Sequence, residues 1–135
     1  MTLQAEVLLP GSAVDATAMA LTAPISFWGG VNPKTAEIAD VRHPEYGQRI
    51  NGRVLLIPAT IGSSSAAAIL LELVHAGLAP AAVVLDEPDA ILLLGLIVAT
   101  EMGYPTPMAL RLDARQFAAL DGRRLIISEA GSIAI

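Results

Sequence analysis

A glycine followed by three serines, Gly62-Ser63-Ser64-Ser65, is the part of this sequence whose residue types best suit chemistry. These residues stand between a short apolar run and an apolar segment with helical spacing. At such a strand-to-helix turn, free backbone N–H groups and the helix dipole favour a carboxylate or phosphate, and glycine lets the ligand approach closely. Serine is also a preferred N-cap, so helix capping and anion binding both stay open.

Two common catalytic patterns do not fit this turn. It is neither G-x-S-x-G nor the Gly-Lys-Ser/Thr loop of nucleotide-binding proteins. A serine nucleophile needs a histidine within hydrogen-bond reach. His75 follows Ser63 by twelve residues on one predicted helix, which at roughly 1.5 Å per residue is about 18 Å. The other histidine, His43, could approach, but nothing in the sequence requires it.

A third possibility is that a serine of the turn acts as a base. A serine oxygen activated by flanking N–H groups can remove the α-hydrogen of a hydroxy acid while a metal takes the leaving hydroxyl. The sequence has no cysteine and two histidines, so a metal held by this chain alone would need an unusual carboxylate-rich set. This chemistry therefore requires a second chain that brings the metal.

The hydrophobic pattern around the turn predicts a βαβ unit. Residues 54–58 (VLLIP) and 81–86 (AAVVLD) are short apolar runs, as in strands buried on both faces. Residues 64–76 have helical spacing, and Gly77 suits a left-handed C-cap. The two strands should be parallel, with a right-handed crossover. The helix side expected to be buried carries Ile69, Leu70, Leu73 and Val74, with Glu72 and His75 off it.

The remainder of the second half alternates helices and strands. Residues 89–103 predict a second helix with Asp89 as its N-cap, and because it is apolar nearly all round we expect burial on more than one side. A strand at 107–112, a short helix at 113–120 and a last strand at 123–129 follow. The second half is therefore α/β.

The first half is mainly strand and loop. Residues 3–9 predict a first strand, whereas residues 13–23 are rich in alanine and ambiguous. Residues 26–53 are dense in glycine, proline and asparagine, which indicates loops with short strands, for example around Ala36–Val41. No repeat and no long linker divides the chain, so we expect a single domain over residues 1–135.

Composition narrows the class of partner. Hydrophobic residues make up 54% of the chain and charged residues 16%, whereas average soluble domains have about 45–50% and about 25%. We therefore expect part of the apolar surface to meet another chain. The longest apolar run is too short to span a membrane and the N-terminus does not resemble a signal peptide, so a cytoplasmic location is expected. The net charge of −5 argues against nucleic acid.

Three blocks of the sequence carry a resemblance to a known family. They are SFWGGV from Ser26, HPEYGQRINGRVL from His43, and GSSS from Gly62 followed by APAAVVLDEPDAILLLGLIVA from Ala79. Together they resemble the swivel domain, or small subunit, of the aconitase X group. The resemblance covers residues 24–99, which is more than half of the chain, and the three blocks in combination are specific.

The resemblance implies a swivelling β/β/α fold, as in the mobile domain of aconitase. It implies the small subunit of a heteromeric, iron-dependent hydroxy-acid dehydratase that acts only with its large subunit. Cis-3-hydroxy-L-proline, converted to Δ1-pyrroline-2-carboxylate, is the favoured substrate, and a mevalonate 5-phosphate dehydratase-like small subunit is the alternative. The iron centre, an iron–sulfur cluster or mononuclear iron, would belong to the large subunit. A non-catalytic interaction module of the same fold is the rival interpretation, and a metal-free lyase is a weaker one.

The resemblance also implies roles for the turn. In the family the serine directly after its glycine is the catalytic base, and that residue here is Ser63. Gly62, Ser64 and Ser65 would help to hold the substrate or to stabilise the serine oxygen. A basic residue commonly precedes the glycine, and Ile61 stands there instead. This difference would weaken carboxylate binding, move that task to the large subunit, or indicate another substrate.

The segment Ser26–Gly30 would line the cleft that faces the large subunit. Its substrate-facing residues would be Ser26, Trp28, Gly29 and Gly30. For Phe27 and Trp28, packing in a core or an interface is the competing interpretation. His43 and Pro44 are expected to fix a loop rather than to act on the substrate.

Overall fold

The fold was obtained as a computed structural model that describes residues 2–62 and 64–135. Within these residues eight strands form one mixed sheet. They are β1 (Thr2–Gln4), β2 (Glu6–Leu9), β3 (Val14–Ala20), β4 (Val54–Ile57), β5 (Ala82–Leu85), β6 (Met108–Arg111), β7 (Arg124–Ile127) and β8 (Ser132–Ala134). The helical segments are α1 (Phe27–Gly30), α2 (Ala66–His75), α3 (Ala90–Glu101) and α4 (Phe117–Leu120), with a 3₁₀ turn at Ala114–Gln116. This is the predicted α/β class.

The predicted βαβ unit is present as β4–α2–β5, and its two strands pair in parallel. Strands β3 and β6 extend the parallel set on either side. Every residue of β4 and β5 is buried, since both faces of the sheet are covered there and the strands need apolar side chains in both directions. Helix α2 lies within two residues of its predicted ends, and Gly77 follows it with a φ of 73°.

The first predicted strand, residues 3–9, is two strands divided at Ala5. β1 pairs with β8 and β2 pairs with β6, which are at opposite ends of the strand order β1-β8-β7-β3-β4-β5-β6-β2. The sheet therefore curls until its two outer strands are neighbours in the chain. Ala5 is buried at this junction, and its N–H donates to the carbonyl of Gly131 at 2.9 Å. A Cβ on Gly131 would lie 2.6 Å from the Ala5 oxygen, so only glycine fits.

Two other parts of the sheet were not evident from the sequence. The ambiguous residues 13–23 contain β3, which joins the parallel strands to the antiparallel ones through β4 and β7. Strand β8 follows β7 and was not predicted. The predicted loop region, residues 26–53, contains α1, and in place of the short strands predicted around Ala36–Val41 its described residues form only isolated bridges, at Val31–Ile38 and Glu37–Arg49.

The two faces of the sheet contact separate apolar cores. Because successive strand residues point to opposite faces, Leu55 and Val83 contribute to the core under α2 and α3. Their neighbours Leu56 and Val84 contribute to the second core, inside the curl of the sheet, which α4 closes through Phe117. The sheet thus fixes the helices of one face relative to the carboxyl ends of the parallel strands.

Helix α3 is buried on one side only, so the prediction of burial on more than one side is wrong. Its inner side packs against α2 so closely that a Cβ on Gly95 would lie 2.4 Å from the carbonyl oxygen of Ala67. On the outer side, apolar side chains are at least a third exposed: Ile91, Leu94, Ile97, Val98 and, just after the helix, Met102. An apolar sequence buries a helix only where another element covers it, and the described chain leaves this side open. None of the described helices is long and apolar enough to cross a membrane.

Candidate active site

An open cleft with a volume of about 440 Å³ lies at the carboxyl ends of β4 and β5, where α2 and α3 begin. Its lining residues are Ala59, Thr60, Gly62, Glu87, Pro88, Asp89, Ala90 and Ile91. Ligands of α/β proteins commonly bind at this edge, because strand-to-helix loops and helix N-termini converge there. The cleft is therefore where the topology places the Gly-Ser turn and the start of α3 together.

The turn that carries the predicted base is only partly described. Ser63 lies outside the described residues. Gly62 lines the cleft, and a Cβ built on it would meet no atom within 4 Å. Ser64 is exposed, and Ser65 occupies the N-cap position of α2. The predicted strand–turn–helix context is thus present on both sides of Ser63.

The second predicted segment, Ser26–Gly30, contributes no lining residue to this cleft, and backbone pairing brings only its start near the loop that leads to Gly62. The N–H of Ile25 donates to the carbonyl of Ala59 at 3.2 Å, and the N–H of Ile61 donates to the carbonyl of Ile25 at 2.9 Å. Ile25 thereby forms a short parallel bridge with Thr60. The segment that follows Ile25 in the chain consequently begins beside the residues that precede Gly62.

The conformation of this segment separates its side chains. Trp28 (φ −72°, ψ 111°) and Gly29 (φ 80°, ψ −18°) have the dihedrals of a type II turn, which requires positive φ at its third residue and hence favours glycine. Phe27 is buried in the core, whereas Trp28 is 59% exposed. Phe27 therefore packs in the core, as the competing interpretation expected, whereas Trp28 does not. The Ser26 hydroxyl donates to the carbonyl of Trp28 at 3.1 Å.

The two glycines of the segment differ in their surroundings. Gly29 is exposed, and no atom lies within 4 Å of where its Cβ would be. Gly30 is buried, and a Cβ there would lie 3.3 Å from Cγ1 of Ile25. Gly30 therefore permits the segment to pack on Ile25, while Gly29 permits the turn that presents Trp28.

Asp89 is the predicted N-cap of α3, and the structure gives it a second contact that sequence reasoning missed. Its Oδ1 accepts the N–H groups of Ile91 at 3.0 Å and Leu92 at 3.1 Å. Its Oδ2 accepts the hydroxyl of Thr60 at 2.7 Å. Thr60 follows β4 and Asp89 follows β5, which are neighbouring parallel strands. Because the carboxyl ends of parallel strands lie at one edge of a sheet, this position in the sequence could have indicated that the two side chains are close.

His43 is buried and holds a loop, as expected. Its Nδ1 accepts the N–H of Glu45 at 3.1 Å, so the ring proton is on Nε2. Nε2 therefore donates to the carbonyl of Ala23 at 3.2 Å. With both ring nitrogens engaged inside the protein, His43 has no nitrogen left to activate a serine.

The clear pKa shifts within the described residues belong to exposed ion pairs that do not line the cleft. Arg115 donates side-chain and backbone hydrogen bonds to Asp113, which lower the pKa of that carboxyl to about 2. The side chain of Arg124 donates hydrogen bonds to Asp15 and lowers the pKa of that carboxyl. Because none of these pKa shifts marks a cleft residue, the candidate site is identified by its geometry alone.

The family model of the aconitase X swivel domain matches residues 2–135. The chain belongs to this family. In the crystal structure of holo-form aconitase X from Thermococcus kodakaraensis, a chain 23% identical superposes on this swivel domain with a TM-score of 0.86, over 100% of this chain and 98% of that one. The likeness confirms the predicted fold.

Two curated relatives bear different names. A cis-3-hydroxy-L-proline dehydratase of Pseudomonas aeruginosa is 48% identical over 103 residues, which are 76% of this swivel domain and 18% of that protein. A phosphomevalonate dehydratase small subunit of Methanopyrus kandleri is 38% identical over 85 residues, 63% of each chain. The swivel domain therefore spans about a fifth of the first relative and close to two thirds of the second.

Proposed function

We propose that this chain is the small subunit of an iron-dependent hydroxy-acid dehydratase, with cis-3-hydroxy-L-proline as substrate and Δ1-pyrroline-2-carboxylate as product. The observation that carries the proposal is the cleft lined by Gly62 and by the start of α3, beside which Ile25 pairs with the loop that leads to Gly62. The 48% identity to a cis-3-hydroxy-L-proline dehydratase supports this choice of substrate.

In this proposal Ser63 is the base. Its oxygen takes the α-proton, the C–H electrons form a double bond between Cα and C3, and the C3 hydroxyl departs. The proton gained by the serine and the hydroxide lost from C3 together make the released water. The resulting enamine tautomerises to the imine product. Backbone N–H groups at the start of α2, with Ser64 and Ser65, hold the substrate carboxylate.

The residues of this chain do not fit an iron centre. The sequence has no cysteine. Across residues 2–62 and 64–135, no three histidine or carboxylate side chains are grouped so that they could hold a metal. We therefore assign the iron centre, and the groups that assist the leaving hydroxyl, to a larger partner chain.

The open side of α3 supports such a partner. Ile91 lines the cleft and also begins the exposed apolar side that continues through Leu94 and Val98. A chain seated on this side would border the cleft and exclude water from it. Exposed apolar patches of this kind commonly mark protein–protein contacts.

The test compares the activity of the captured pair when the chain is wild type and when it carries a single serine substitution. The chain is tagged and captured anaerobically from its native lysate, the partner is weighed and its iron assayed, and cis-3-hydroxy-L-proline is added. Ser63→Ala should abolish pyrroline-2-carboxylate formation while still capturing the partner. Ser12→Ala removes an exposed hydroxyl before β3, at the opposite end of the parallel strands, and should keep full activity. Full turnover by Ser63→Ala would exclude the serine base.

Mevalonate 5-phosphate is the second substrate to assay, because a phosphomevalonate dehydratase small subunit is 38% identical to this chain. Turnover of mevalonate 5-phosphate alone would change the proposed substrate and leave the proposed dehydratase activity unchanged. An iron-bearing partner that dehydrates neither compound would direct attention to Ile61, where the family commonly has a basic residue. Capture of no iron-bearing chain would favour the non-catalytic interaction module.

A further inference from the structure

The HPEYG motif at residues 43–47 lines no part of the cleft but contacts the segment that leads to Ile25. Its Glu45 carboxylate accepts two hydrogen bonds from one residue, the N–H of Thr22 at 2.7 Å and the Thr22 hydroxyl at 2.8 Å. His43 donates to the carbonyl of the next residue, Ala23, at 3.2 Å. The motif therefore holds two consecutive residues of the segment that leads from β3 to Ile25.

Glu45 and His43 are themselves held in place. The Nδ1 atom of His43 accepts the N–H of Glu45 at 3.1 Å, which fixes one residue against the other. Their side chains are only 13% and 2% exposed, respectively. Hydrogen bonds to a carboxylate are generally stronger than those between neutral groups, and both bonds to Thr22 lie at the surface.

The segment on which they act leads to Ile25, which pairs with two cleft-lining residues, Ala59 and Thr60. Before Thr22, the N–H of Leu21 donates to the carbonyl of Leu56 on β4 at 2.9 Å. After Ala23, Ile25 pairs with Ala59 and Ile61 and leads into the Trp28 turn. Between these two attachments to the β4 side, the side chains of Glu45 and His43 hold Thr22 and the carbonyl of Ala23.

We propose that Glu45 and His43 are positioning residues, which keep the Ile25 bridge closed and thereby hold the start of the Ser26–Gly30 segment beside the loop that leads to Gly62. Neither side chain lines the cleft, so both act through the backbone of residues 22–25. The structural part of this inference concerns the chain alone. Its consequence for turnover rests on the proposed dehydratase function.

The first test measures amide hydrogen exchange in the full isolated chain. Glu45→Ala removes both bonds to Thr22, so the Ile25 and Ile61 amides should exchange at least about tenfold faster. Glu45→Gln can still accept the Thr22 N–H and donate to its hydroxyl, and should stay within about threefold of the wild type. Glu37→Ala is the matched control, since its carboxylate lies in the same loop region but contacts Arg49 at 4.0 Å.

Amides of β5, such as that of Val83, report whether a variant merely unfolds more readily. Acceleration confined to Ile25 and Ile61 supports the proposal. Equal acceleration at Val83, no acceleration in Glu45→Ala, or the same effect in Glu37→Ala would overturn it. Because the exchange experiment needs neither partner nor substrate, its result decides the structural role of Glu45 even if the proposed dehydratase function is wrong.

The second test measures kcat and KM of the captured pair. Glu45→Ala should lower kcat/KM at least about tenfold with partner capture unchanged, and Glu45→Gln should restore most of it. Faster exchange with unchanged kcat/KM would show that the bridge does not position the site, which overturns the proposed positioning role in turnover. A wild-type pair that turns over no hydroxy acid would contradict the proposed function instead, and the exchange result would still decide the role of Glu45.

Discussion

The Thr60 hydroxyl donates to Oδ2 of Asp89 at 2.7 Å, while Oδ1 of the same carboxylate accepts the N–H groups of Ile91 and Leu92. One carboxylate thus caps α3 and ties it to the loop that leads to Gly62. This bond joins the two strand-to-helix loops of the cleft. The relative placement of these two loops at the site is therefore stabilised by a pair of residues 29 apart in the sequence.

Asp89→Ala should destabilise the protein more than Thr60→Val. Loss of an N-cap costs about 0.5–2 kcal/mol, and loss of the hydroxyl bond costs about 0.5–1.5 kcal/mol. The aspartate variant loses both contributions and the threonine variant loses one. Urea denaturation of the two single variants and the double variant measures this, and strictly additive effects would show that the Thr60–Asp89 bond contributes nothing.

Gly62→Ala should separate folding from ligand binding. A Cβ there would meet no atom within 4 Å, and no left-handed φ requires glycine at this position. The free energy of unfolding should therefore stay within about 0.5 kcal/mol of the wild type. The methyl group would occupy space beside the cleft, so KM of the reconstituted pair should rise. An unchanged KM would indicate that the substrate does not approach the backbone at Gly62.

Gly95→Ala should be destabilising although alanine is the better helix former. The propensity gain is about 1 kcal/mol, but the added Cβ would lie 2.4 Å from a backbone oxygen of α2, Ala67 O. Overpacking against atoms that cannot rotate away typically costs about 1–3 kcal/mol or more. A net loss of about 1–2 kcal/mol is expected in urea denaturation. A stabilised variant would show that α2 and α3 can move apart.

Ile97→Lys should weaken capture of the large partner without unfolding the chain. Ile97 is 43% exposed on the open side of α3, so the ammonium group can reach water in the isolated chain. In a complex that covers α3 the same charge would be buried without a partner. Ile126→Lys is the matched control, because Ile126 is 56% exposed on β7. Equal capture by both variants would place the partner elsewhere.

Acid should remove a stabilising contribution of Asp113. Its pKa falls from the ordinary 3.8 to about 2 in the folded chain because Arg115 donates to it. The folded state thus binds the proton more weakly than the unfolded state, so the contribution is full above pH 3.8 and is lost as the pH falls through about 2. Thermal unfolding should find Asp113→Asn less stable than the wild type at pH 5, with the difference closing towards pH 2. A constant difference would contradict this assignment.

Much of the second half of the fold could be predicted because its signals are local. Apolar runs predicted β4 and β5, helical spacing predicted α2, and the cap at Asp89 is made by the residue expected. The signal is weaker in the first half. The alanine-rich β3 carries no distinct periodicity, and the division of the first strand at Ala5 depends on partners at the far end of the chain.

The sequence by itself determined the α/β class, the parallel βαβ unit and, through three blocks of residues, the aconitase X swivel family. Only the tertiary structure decided that Ile25 pairs with Thr60, that Glu45 holds Thr22, and that one side of α3 stays open. The reason is physical. Periodicity and caps report on neighbours a few residues apart, whereas these contacts join distant segments through backbone groups that every residue carries.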